Sequence, residues 1–238
     1  MGNAMRLGDI RIEVVRKEIK HVHLGIYPPV GRVRIAAPRR LSDSAIRAFA
    51  IGKMGWIRRQ RQKMADQERE TPREFIENES HFIWGERKLL HLVEKNIPPS
   101  IEVHPRRMVL QARPGTSRSR RSEIVEEWYR SQVREASIPL IAKWEKVLGV
   151  QVRRLFVQKM RTRWGTCNHR AGRIRLNTEL AKKPRICLEY LVVHEMAHLL
   201  EPSHNARFIA LMDRHMPAWR SIRQTLNRLP VRHEDWKY

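Results

Sequence analysis

The chain has 238 residues and a mass of 28.3 kDa, and its 41% hydrophobic content is enough for one large or two small domains with a buried core, which excludes a disordered tail. Lys and Arg outnumber Asp and Glu 48 to 25, giving a net charge of +23 that favours nucleic acid, nucleotides, acidic peptides or an anionic membrane surface as partners. Two cysteines, Cys167 and Cys187, exclude a disulfide framework, and no apolar run reaches the ~18 residues of a membrane span.

Met1 to Arg11 lacks the apolar stretch of a signal peptide, so the expectation is a cytoplasmic protein. From Ile10 to Ala37, β-branched runs at Ile10–Val15, Val22–Ile26 and Val33–Ile35, punctuated by Pro28-Pro29 and Gly31, predict antiparallel strands. Ser42 or Asp43 can cap one helix reaching about Lys63, with Ile46, Phe49, Ile51, Met54 and Ile57 as its apolar members. A polar stretch from Ala65 to Asn78 leads to further strands at Phe82–Trp84, Leu89–Val93, Ile101–Val103 and Met108–Leu110. The loop composition of Pro114–Arg121 suggests a seam, dividing a strand-rich subdomain over 8–115 from a second over 116–230. After it, Ser122–Leu148 reads as a long helix that Pro139 would kink, burying Ile124, Trp128, Val133, Leu140, Ile141, Trp144 and Leu148. Leu155–Val157 and Ile174–Leu176 read as strands, Asn177 as a cap, and no internal repeat is visible. The fold class is therefore α+β.

Pro184 suits the first turn of a helix, and no Gly or Pro follows it until Pro202. Within that helix lies His194-Glu195-Met196-Ala197-His198. Residues four apart share a helix face, so both imidazoles can reach one ion, while Glu195, rotated by about 100°, can meet a water beside it without ligating the metal. A catalytic zinc site needs a third protein ligand. His204 is the best candidate, because Pro202 ends the helix and lets the chain turn back. Asp213 and His215 are the alternatives, and otherwise belong to a closing helix whose apolar members are Phe208, Leu211 and Met212.

Arg163-Trp164-Gly165-Thr166-Cys167, Ile174-Arg175-Leu176-Asn177, Leu180, Pro184, Tyr190–Glu195, His198, His204, Phe208 and Met216-Pro217 together resemble the YgjP-like family of metallohydrolases, relatives of the SprT-like zinc peptidases. The basic N-terminal half with Lys53-Met54-Gly55-Trp56-Ile57 also fits that family, and Ile209 stands where the family usually has Trp. The resemblance implies a zincin-like core with an active-site helix in the 116–230 part. It further implies one Zn²⁺ per chain held by His194, His198 and His204, with Glu195 as general acid and base. The family is labelled peptidase largely from its motif, and also as a nucleoside-triphosphate (UTP) pyrophosphatase.

Three readings compete. The first is a zinc metallopeptidase acting on peptides. The second is a nucleotide pyrophosphatase whose arginines hold the triphosphate, which suits the charge but lacks an acidic Mg²⁺ cluster. The third is a basic protein that holds nucleic acid non-specifically, with structural zinc or a SprT-like protease site. Arg163 and Trp164 are candidates to line the cleft, and Tyr190, four residues before His194, to donate to a developing oxyanion. Cys167 with His169 is a weak metal pair, and a buried thiol is the plainer reading. The Arg118–Arg121 run reads as a solvated loop able to bind phosphate, and His21 and His23 as surface groups.

Overall fold

The computed structural model describes residues 3–27, 31–65, 73–160 and 163–228. The Pro28-Pro29 punctuation and most of the polar stretch after Ala65 lie outside them. The chain divides into two compact units, and the division falls between residues 71 and 72. The predicted Pro114–Arg121 loop lies inside the second unit and is only partly a loop: Ser117 caps the long helix, its Oγ accepting from Arg120 N–H at 3.3 Å, so Arg118–Arg121 form the first helical turn.

The first unit is built on strands β1 (Asn3–Leu7), β2 (Ile10–Lys17), β3 (His23–Tyr27) and β4 (Arg32–Pro38), in the order β1-β2-β4-β3. Alternation buries Ile10, Ile12 and Val14 from β2 and Val33, Ile35 and Ala37 from β4, the period-two signature of a half-buried sheet. The sheet is not wholly antiparallel as predicted: β2 and β4 run parallel, Ile12 opposite Val33 and Val14 opposite Ile35. Alternation fixes which face a side chain takes and carries no information about a partner's direction. β1, which the strand patterning did not reveal, supplies the edge.

The predicted single helix is two, α1 (Asp43–Gly52) and α2 (Met54–Ala65), with Ser42 as the cap of the first. The chain breaks at Lys53, whose N–H closes back on Ala50 O and Ile51 O after the helix-weakening Gly52. Ile51, one of the predicted apolar members, is 56% exposed, whereas Ile46, Ala50 and Ile57 are fully buried.

In the second unit, β5 (Ser80–Ile83), β6 (Glu86–Glu94), β7 (Ser100–Val103) and β8 (Arg107–Ala112) form a sheet of order β5-β6-β8-β7. Its central pair is again parallel and its outer pairs antiparallel, so the topology of the first sheet recurs strand for strand without a visible sequence repeat. Helix α3 (Arg118–Leu148) runs through Pro139 to Gly149, whose left-handed backbone lets its N–H bond Glu145 O. Its buried stripe is Val125, Tyr129, Val133, Ser137, Ile141, Trp144 and Leu148. Ile124, Trp128 and Leu140 are only partly covered, because a four-residue spacing places the buried face one position later than the reading by residue type. Tyr129 Oη donates to Phe82 O at 2.9 Å, tying this helix to the sheet.

A third sheet, of order β10-β11-β9, comprises β9 (Arg154–Gln158), β10 (Gly165–Asn168) and β11 (Arg173–Asn177). Asn177 ends β11 and is 4% exposed. Its Nδ2 donates to Met160 O at 2.9 Å and Arg163 O at 2.8 Å, and its Oδ1 accepts from Met160 N–H at 3.3 Å and Glu179 N–H at 3.2 Å. One side chain thus serves four backbone groups, and Asn177→Ala is expected to cost about 3 kcal/mol, read as a drop in the urea midpoint with an unchanged m-value. A loss below about 1 kcal/mol would show that water replaces the side chain without penalty.

A 3₁₀ turn (Thr178–Lys182) leads to α4 (Arg185–Ala197), then α5 (Ala206–His215) and α6 (Trp219–Arg228). The β5–β6 turn steadies the start of α4: Trp84 N–H bonds Ala181 O at 2.7 Å, Gly85 lies against Pro184, and the Arg185 guanidinium stacks 4.4 Å from the Trp84 ring. At its middle, Glu189 of α4 accepts from Trp144 Nε1 at 3.0 Å and Lys143 Nζ at 2.7 Å of α3. The predicted closing helix is α5, which ends where Met216, before Pro217, leaves the helical region at φ −145°, ψ 69°, and α6 is a further helix that the sequence reading did not include. None of the helices among the described residues is long and apolar enough to cross a membrane.

Candidate metal centre

Helix α4 is buried on nearly all sides, with Leu191, Val192, Val193, Met196 and Ala197 in the core. His194 lies in its last turn and His198 at its C-terminal cap. The helix ends earlier than the apolar run suggests, and Glu201 N–H then bonds back to Ala197 O at 2.9 Å, turning the chain. Asn205 restarts it as the cap of α5, its Oδ1 accepting from Phe208 N–H at 3.1 Å. His204 stands immediately before that cap. The turn and the cap together bring it back over α4.

The result is that His194, His198 and His204 each offer one ring nitrogen, all within 4.8 Å of one another. His194 Nε2 and His204 Nε2 face each other at 3.1 Å, and His194 Nδ1 is buried without a partner. His198 Nδ1 sits 3.0 Å from Glu201 O, the kind of outer contact that orients a ligating imidazole and leaves Nε2 for an ion. Phe208, 1% exposed, lies under all three rings, at 5.0 Å from His194, 4.6 Å from His198 and 4.7 Å from His204. Burial first, then the charges of His198, His204 and Arg223, push the His194 pKa down to about 3. His204 is lowered by burial, His198 and Arg223. Three imidazole nitrogens that converge in this way fit a transition-metal cation, and nitrogen donors fit zinc better than Ca²⁺ or Mg²⁺.

Glu195 is 4% exposed and its carboxylate lies against Gly165 on β10. Burial lifts its pKa to about 8, with the Arg163 charge pulling the other way. A buried carboxyl of weakened acidity beside a cluster of three imidazoles is equipped to take and return a proton.

The other candidates fall around this core. Arg163 is exposed at the head of β10 and acts electrostatically on Glu195. Trp164 is half-buried and packs on the core, with Lys183 Nζ 5.9 Å from its ring. Tyr190 is buried, its ring 5.7 Å from that of His194 and its phenol made less acidic by burial. Asp213 is engaged by Trp219 Nε1 at 2.7 Å and by Arg220, and neither it nor His215 joins the converging nitrogens. Burial and the Glu195 charge raise the Cys167 thiol to about 11, and the Cys167–His169 pair is not part of the cluster. Arg223 of α6, whose charge reaches Tyr190, His194 and His204, had no motif to mark it. Phe208 was legible as an apolar helix position and as part of the family resemblance, but not as the ring that packs on all three imidazoles.

The YgjP-like metallopeptidase domain matches residues 21–229. Among solved structures the chain is similar to the metallopeptidase zymogen abylysin of Pyrococcus abyssi, at 20% identity and a TM-score of 0.35 over 39% of this chain and 97% of that one. It is also similar to the metallopeptidase zymogen jannalysin of Methanocaldococcus jannaschii, at 16% identity and a TM-score of 0.31 over 41% and 92%. No curated protein matches the chain.

Proposed function

Since the chain belongs to the YgjP-like metallopeptidase-domain family, we propose that it is a zinc peptidase in which His194, His198 and His204 hold the ion and Glu195 is the general base. The reading is carried by the convergence of three imidazole nitrogens within 4.8 Å of one another, next in sequence to a buried carboxylate. Held by His194, His198 and His204, zinc would supply Lewis acidity toward a scissile carbonyl and a water whose pKa it would lower to ~7. The protein's own groups do the rest. Glu195 accepts the proton of the attacking water at its carboxylate and returns it to the leaving amine. Tyr190, buried with its ring 5.7 Å from that of His194, is the candidate donor to a developing oxyanion, and Arg163, whose charge acts on Glu195, and Trp164, next in sequence to Gly165, are the candidates to line the cleft.

The nucleoside-triphosphate alternative gains no support from this arrangement, because the one metal-ligating cluster among the described residues is the histidine triad and not a set of carboxylates. Nor does any observation favour a nucleic-acid partner over a peptide. Zinc-loaded protein incubated with casein, a fluorogenic peptide library and a panel of nucleoside triphosphates is expected to cut peptide bonds. Release of pyrophosphate from UTP with every peptide left intact would overturn the reading.

A further inference from the structure

Gly165 has an unusual reason to be glycine. Its φ lies outside the left-handed region, so the backbone of β10 places no demand for glycine there. Space does. A Cβ at this position would sit 2.6 Å from Glu195 Oε1 and 3.0 Å from both Cδ and Cγ of the same side chain. Such distances are well inside van der Waals contact, so something has to move.

What can move is restricted. The strand is pinned, since Gly165 pairs with Leu176, Trp164 O accepts from Asn177 N–H at 2.8 Å, and Arg163 O accepts from Asn177 Nδ2 at 2.8 Å. The helix is equally fixed, with Val192 and Met196 on either side of Glu195 fully buried. The part free to yield is the outer end of the Glu195 side chain. We propose that Gly165 is a positioning residue whose bare Cα forms the seat of the Glu195 carboxylate, an assignment that rests on Glu195 being the general base. The strand motif Arg163-Trp164-Gly165 and the helix motif at His194–His198, far apart in sequence, thus meet at one carboxylate.

Gly165→Ala displaces the carboxylate and leaves the three imidazoles untouched. The variant is expected to bind as much zinc as the wild type and keep its KM, while kcat falls about 10- to 100-fold, the effect of misplacing a catalytic group by about an ångström. Combined with Glu195→Gln, the change should cost nothing further, because the group it displaces is already disabled. A melting-temperature cycle on the zinc-free protein reads the contact without any substrate. Gly165→Ala should lower the midpoint by several degrees in the wild type and by little in a Glu195→Ala background, where the colliding side chain is gone. Wild-type kcat in Gly165→Ala, or an equal loss of melting temperature in both backgrounds, would overturn the seat. If the wild type cuts no peptide the proposed activity fails, and the melting cycle alone then decides the role of Gly165.

Discussion

Glu195→Gln is expected to retain zinc and fold while peptide turnover falls by ~10²–10⁴-fold, the usual contribution of a positioned general base. The replacement matches the carboxylate in size, so it fills the same buried position against Gly165 and disturbs neither α4 nor the imidazoles. It removes only the capacity to accept a proton. Burial, which lifts the Glu195 carboxyl to about 8, makes it a firmer proton acceptor than an exposed glutamate, and an amide offers nothing comparable. Metal content by elemental analysis, circular dichroism and initial rates on a peptide substrate separate the possible results. Full activity in the variant would remove Glu195 from the chemistry. Loss of zinc or of the fold would make the residue structural.

His204→Ala is expected to reduce bound zinc from about one ion per chain to near zero after dialysis against a buffered chelator. Two imidazoles on α4 make a weak bidentate clamp, and the third is what closes the site. Asp213→Asn and His215→Gln are the controls, and both should keep full occupancy. Asp213 is held by Trp219 and Arg220, away from the cluster, so only a rearrangement of α5 and α6 could bring it to the ion. Full occupancy in His204→Ala, or loss of zinc in Asp213→Asn, would move the third ligand.

The candidate site was legible where the chemistry is local. His194, Glu195 and His198 are one helical turn, and their relative directions follow from helix geometry alone. His204 required only a helix stop and a short return. The caps at Ser42 and Asn177 were visible for the same reason, since a cap is a contact between near neighbours in sequence. What stayed hidden depends on distant partners. Parallel pairing of β2 with β4 is decided by where β3 folds back, which residue alternation does not encode. The packing of Phe208 against three imidazoles, the reach of Arg223 into the site and the meeting of Gly165 with Glu195 arise from tertiary placement. The break at Lys53 illustrates the same limit, because two short amphipathic helices and one long one share the apolar spacing that was read.

The recurrence of one strand order in both four-stranded sheets bears on how the molecule is made. In each, the inner parallel ladder joins strands separated by an intervening outer strand, so neither sheet can zip up as consecutive hairpins, and a loop must close before the centre forms. Both sheets are nevertheless complete by Ala112, well before His194 is synthesised. On the ribosome, where N-terminal regions fold first, the slow steps are therefore available early. The histidine-bearing helices, rich in local contacts and fast to form, emerge later, onto a scaffold whose Trp84-Gly85 turn is already in place to receive Pro184.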